Sequence, residues 1–86
     1  MSYRVELENR AIRELRALPL EVIRSIDRAI SGLAANAIPN GAVRLRGNVG
    51  NGWRVRVGDY RILYTVDETE QLVRVYRIRH RREAYR

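Results

Sequence analysis

The chain has no cysteine and a single histidine. Without thiols neither a disulfide framework nor a thiolate metal site can form, and one imidazole cannot build a histidine metal cluster, so no metal or cofactor is expected. No apolar run approaches the ~18 residues needed to span a bilayer, and Met1-Ser2-Tyr3-Arg4-Val5-Glu6 has no signal-peptide apolar region. A soluble, cytoplasmic protein without membrane contact is the expectation. Internal repeats, linkers and low-complexity tracts are absent, so the 86 residues read as one small domain, 1–86. A domain of this size buries about 60–65% of its unfolded surface, which predicts modest stability without a partner. Lysine is absent as well: all 17 cationic side chains are arginine.

What is present is charge, unevenly placed. The formal net charge is +7. Through Asn40 six arginines face five acids, and from Gly41 onward eleven face five. Between Arg28 and Asp59 there is no acid at all, while Arg44, Arg46, Arg54 and Arg56 accumulate. A genome rich in arginine codons explains arginine in place of lysine but not this asymmetry. The excess favours a polyanion, either nucleic acid or an acidic protein.

Tyr3, Val5 and Leu7 alternate with Arg4, Glu6 and Glu8, the pattern of a strand with one apolar face. Asn9 is placed to cap a helix carrying Ala11, Ile12, Leu15 and Leu18. Pro19 ends it and suits the first turn of a second helix, with Leu20, Ile23, Ile26, Ile30 and Leu33 near one face. Pro39-Asn40-Gly41 marks a turn, after which the period changes from 3.6 to 2. Val43 and Leu45 alternate with Arg44 and Arg46. Gly47 to Gly52 reads as a flexible loop, and Trp53, Val55 and Val57 alternate with Arg54 and Arg56. Gly58-Asp59 suits a tight hairpin. Tyr60 to Val66 and Leu72 to Arg79 read as two more strands, and the last seven residues as a helical turn or an irregular tail. The fold class is therefore α+β, ordered β-α-α-β-β-β-β, with a two-helix hairpin on one face of a mainly antiparallel sheet. The other face is expected to be open and basic, a docking surface for an RNA backbone.

Trp53-Arg-Val-Arg-Val-Gly-Asp-Tyr-Arg-Ile-Leu-Tyr64 and the closing His80-Arg-Arg-Glu-Ala-Tyr-Arg86, on this element order, resemble the RelE/ParE superfamily of type II toxin–antitoxin toxins. The ending is more similar to the RelE branch, whose resemblance implies a metal-independent endoribonuclease, an mRNA interferase acting in the ribosomal A site. The ParE branch shares the fold but poisons DNA gyrase. The resemblance carries over five positions: Arg54 and Arg56, paired on the strand before the Gly-Asp turn; Arg61, after the aromatic that follows it; and Arg81 and Tyr85 in the closing segment. The paired positions are often lysine in the family, and Arg79 stands where a small residue is usual, so the closing arginine role lies between Arg79 and Arg81. The resemblance also implies an antitoxin, RelB-like, wrapping the toxin with an acidic segment in a hetero-oligomer.

The chemistry can be argued from residue types. Cleavage by the RNA's own 2′-OH needs a base, cationic stabilisation of the phosphorane and an acid for the 5′-oxygen. Arginine pairs two phosphate oxygens and stays protonated, which also makes it a poor base. The base then falls to Tyr85, whose phenol neighbouring arginines would acidify, to His80, since histidine titrates near neutrality, or to a carboxylate. Arg61 and Arg81 are the expected phosphorane stabilisers, and Arg54, Arg56 and Arg79 the expected RNA-binding set. Blander roles stand beside these: a solvated strand face for Arg54 and Arg56, an ion pair with Asp59 or Glu83 for Arg61, one with Glu83 or an acidic partner for Arg81, edge packing for Tyr85, and a structural hydrogen bond for His80. Tyr60, Tyr64, Tyr76 and Trp53 read as core. Gly47 to Gly52 lacks a Gly-Lys-Ser/Thr ending and is not a phosphate loop. A gyrase poison and a non-catalytic basic RNA- or antitoxin-binding module are the alternatives.

Overall fold

The chain was analysed as a computed structural model, which describes residues 2–45 and 52–82. Five strands and two helices follow in the order β1 (Arg4–Leu7), α1 (Asn9–Arg16), α2 (Leu20–Ala35), β2 (Val43–Arg44), β3 (Gly52–Val57), β4 (Tyr60–Asp67) and β5 (Leu72–His80). They form one sheet ordered β1-β5-β4-β3-β2. Four strands make the expected antiparallel meander, and β1 joins the far edge parallel to β5, with Arg4 opposite Leu72 and Leu7 opposite Val75.

The helices cover one face. Ala11, Ile26, Ile30 and Leu33 pack with Val55, Ile62, Tyr64, Val66, Val73, Val75 and Ile78. Burying these side chains is worth roughly 1.5–3 kcal/mol for each large aliphatic group. Tyr64 sits in the centre, fully buried, its hydroxyl donating to the Ala37 carbonyl at 2.7 Å. Burial pushes its phenol up to about 12.

Several local expectations are corrected. Asn9 lies inside α1; Glu8 takes the cap position, with no side-chain cap bond, and its carbonyl accepts the Ile12 amide at 3.0 Å. Pro19 takes the cap position of α2 rather than its first turn, and its carbonyl accepts the Ile23 amide. The buried stripe of α2 is Val22, Ile26, Ala29, Ile30 and Leu33. Leu20 is 61% exposed and Ile23 lies outside the core cluster, because the stripe follows i, i+4, i+7 from Val22. Gly52 belongs to β3, opposite Thr65, rather than to a loop. The turn signals held: Gly41 has φ +89° with Ala42 donating to Pro39, and Gly58 has φ +58° in the two-residue link between Val57 and Tyr60.

Candidate phosphate-binding face

Strand alternation sorts β3 and β4 into two faces. Trp53, Val55, Val57, Tyr60, Ile62 and Tyr64 turn toward the helices. Arg54, Arg56, Arg61, Leu63 and Thr65 therefore lie on the other side. Register then aligns the arginines across strands: Arg56 stands opposite Arg61, and Arg61 opposite Arg79. Three guanidinium-bearing positions form one row over three adjacent strands, about 10 Å across at normal strand spacing. Arg54 lies two residues along β3 on the same face, opposite Leu63.

This face is less open than expected. Arg61 is only 5% exposed, and Leu72, outside the helix-side cluster, is 7% exposed. Arg79 is half-buried, and its Nε is buried with no hydrogen-bond partner among the described residues. Like charges directly opposite on neighbouring strands repel. A multiply charged anion on the row relieves that repulsion, and guanidinium forks suit phosphate oxygens.

Arg81 sits at the rim. Its amide donates to the Asp59 carbonyl at 2.7 Å, extending the β4–β5 ladder one residue past the strand. Its Nε lies 3.9 Å from Asp59 Oδ1, with both side chains more than half exposed. Arg56 Nε donates to the Gly58 carbonyl at 3.1 Å, so Arg56 and Arg81 both gather at the β3–β4 turn. Of the two arginines proposed for the closing role, Arg79 is the one in register with Arg61.

His80 is not brought to this row. It pairs with Tyr60, which packs against the core, and the two rings meet edge to face at 5.2 Å and 89°. The pair lies on the helix side of the sheet. His80 Nδ1 accepts the Arg82 amide at 3.2 Å, so the neutral ring carries its proton on Nε2. Tyr85, Glu83, Arg46 and most of the glycine-rich loop lie outside the described residues. No three His, Asp or Glu side chains come together among the described residues.

One residue missed by sequence reading belongs to the site's support. Glu14 on α1 accepts the Ile78 amide at 2.9 Å and reaches Arg77 Nη2 at 2.8 Å. Burial pushes its carboxyl up, but the Arg77 hydrogen bonds, the Ile78 amide and the charges of Arg77 and Arg10 outweigh that and leave it lowered. Nothing in an exposed-looking Arg-Glu-Leu-Arg helix announces a strand partner 63 residues away.

The ParE toxin model, of the type II toxin–antitoxin system parDE, matches residues 5–85. A toxin of Methanocaldococcus jannaschii described as putative RelE1 is 27% identical over 88 residues, covering 100% of this chain and 98% of that protein. The toxin of the archaeal RelE–RelB complex from Pyrococcus horikoshii aligns with a TM-score of 0.83 and 26% identity, over 94% of this chain and 97% of that one. The RelBE2 toxin–antitoxin complex from Mycobacterium tuberculosis contains a chain with a TM-score of 0.84 and 26% identity, over 94% and 100%.

Proposed function

The chain belongs to the ParE toxin family within the RelE/ParE superfamily and is a type II toxin–antitoxin toxin, and from that premise we propose that it is an endoribonuclease cutting mRNA on the ribosome. The observation that supports this reading best is the Arg56–Arg61–Arg79 row, with Arg54 on the same face and Arg81 at its rim. In the proposed reaction the 2′-oxygen of the RNA attacks the adjacent phosphorus. Its proton passes to a base, the bond to the 5′-oxygen breaks, and that oxygen is protonated. The RNA supplies its own nucleophile, so no metal-activated water is required. Arg61 and Arg79 stabilise the phosphorane, with Arg81 beside the leaving oxygen, while Arg54 and Arg56 hold flanking phosphates. Tyr85 is the assigned base; the position of His80 behind the sheet makes it the reserve.

The partner of this reading is an antitoxin. The relatives from Pyrococcus horikoshii and Mycobacterium tuberculosis were each solved with one. The eleven arginines from Gly41 onward suit an acidic segment that folds as it binds. The cytoplasm, where ribosomes and mRNA are, is the proposed location.

Expression without antitoxin should arrest growth and leave mRNAs cut inside codons, mapped by primer extension. Arg61→Ala should slow single-turnover cleavage ~10²–10³-fold, the usual effect of losing one donor to a developing oxyanion. Arg79→Ala should cost more than Arg81→Ala. Intact mRNA together with DNA breaks in arrested cells would transfer the assignment to a gyrase poison, a reading favoured by the family model's ParE description. Salt-sensitive RNA binding with no cleaved product would leave a binding module only.

A further inference from the structure

The phase of β5 changes in mid-strand. Val73 and Val75 face the helices, opposite Val66 and Tyr64. Unbroken alternation from Val75 would send Arg77, Arg79 and Arg81 to the helix side and turn Ile78 and His80 outward. The observed register differs. Tyr64 pairs with Val75 but Leu63 with Arg77, leaving Tyr76 as the extra residue of a bulge. Beyond it Ile78 enters the core and Arg79 comes to stand across from Arg61. The arginine row exists because of this one-residue insertion.

Glu14 meets the strand immediately past the bulge. The outer edge of β5 is paired with β1 only as far as Val75, whose carbonyl takes the Glu8 amide at 2.9 Å. At the free edge beyond, Glu14 Oε1 accepts the Ile78 amide at 2.9 Å, and its two oxygens take Arg77 Nε at 3.2 and 3.0 Å. Glu14 Oε2 also takes Arg77 Nη2 at 2.8 Å, with side chains only 25% and 17% exposed. One carboxylate thus grips a backbone amide and a guanidinium on consecutive residues. Such charge-assisted bonds are roughly twice as strong as neutral ones.

We propose that Glu14 is a positioning residue of the arginine face: by holding Arg77 and Ile78 it keeps β5 in its bulged register and so sets Arg79 opposite Arg61. Its effect on cleavage rests on the proposed nuclease reading; its effect on register does not.

The test is NMR of the full chain with Glu14→Ala, alongside single-turnover cleavage. The Arg81 amide bonds to Asp59, so Tyr60–His80 and Ile62–Ile78 alternate with it as the close, non-hydrogen-bonded pairs, and their Hα–Hα contacts report register. In Glu14→Ala both contacts should weaken and the Ile78 amide should exchange at least ~10-fold faster, the loss of one charge-assisted bond. Cleavage should fall about as far as in Arg79→Ala, and the double variant should be no slower than Arg79→Ala alone. Unchanged contacts and unchanged Ile78 exchange overturn the proposal. Lost register with undiminished cleavage upholds the hold on register and counts instead against Arg79 as part of the cleavage site, whereas a wild-type chain that cuts no mRNA counts against the nuclease reading alone. Glu14→Gln keeps an acceptor for the amide without the charge and should show the same changes in smaller measure. If Glu14→Ala does not fold, an unaltered Ile78 exchange rate in Glu14→Gln is sufficient to reject the role.

Discussion

Arg61 stands in a strand made mostly of Tyr, Ile, Leu and Val, and it is buried where Tyr60 and Leu63 are only partly so. Removing a guanidinium from water is costly unless other groups compensate, so Arg61 needs polar company where its apolar neighbours do not. Tyr64, three residues on, is buried for the opposite reason. Its ring fills the core and its single polar atom bonds to Ala37, a pairing of hydroxyl and carbonyl that makes burial tolerable. Tyr64→Phe should lower stability by about 1–3 kcal/mol by orphaning that carbonyl, measured by urea unfolding. Burial of the phenol also has a pH signature. The folded phenol lies at about 12 against 10.0 for the free group, so its contribution is complete below pH 10.0 and disappears as pH rises toward 12. A wild-type minus Tyr64→Phe difference that stays flat through that range would contradict this account. Sequence alone placed Tyr64 in the core, as the structure has it, and singled out Arg61, because an arginine in an aromatic and β-branched run is conspicuous. It could not place His80 behind the sheet, since that depends on which register β5 adopts.

At the scale of elements, alternation carried most of the prediction. β3 was legible because apolar residues and arginines alternate along it, β4 because its residues are mostly aromatic or aliphatic, and Gly58-Asp59 separates the two. The bulge left a trace that was not read: Val73 and Val75 are two apart, but Ile78 comes three later. A step of three in a strand signals a change of phase. The exchange of Leu20 and Ile23 for Val22 and Ala29 on α2 has a different cause, because several apolar residues lie around that helix and only packing selects among them. The β3–β4 turn permits a clean test. Gly58 has φ +58°, and nothing lies within 4 Å of where its Cβ would be. Gly58→Ala should therefore cost backbone strain alone, about 1–2 kcal/mol, or a fall in Tm of ~4–8 °C per kcal/mol. An unaffected Tm would mean that the turn relaxes into another conformation.

For the whole molecule, charge placement decides more than charge total. The described ion pairs Arg4–Glu6, Arg74–Glu6 and Arg77–Glu14 lie on β1, α1 and β5, and Arg81–Asp59 at the turn. Binding to single-stranded RNA should weaken with salt, log K falling by about 0.7 per decade for each phosphate neutralised. Arg56→Ala should make that slope shallower by about one phosphate's worth in a filter-binding titration. A slope identical to wild type would remove Arg56 from the binding face.

The parallel pairing of β1 with β5 has a bearing on how the chain comes into being. Arg4 bonds to Gln71, Tyr3 to Ala34 and Glu68, and Val5 has no strand neighbour until Val73 exists. During synthesis the first strand must wait, unpaired, for the last. The two helices can form early because their bonds are local, but the sheet is a late product of long-range closure. The arginine row needs β3, β4 and β5 together, so it too is assembled only near the end. A toxin built this way carries no arginine row until β5 has been made.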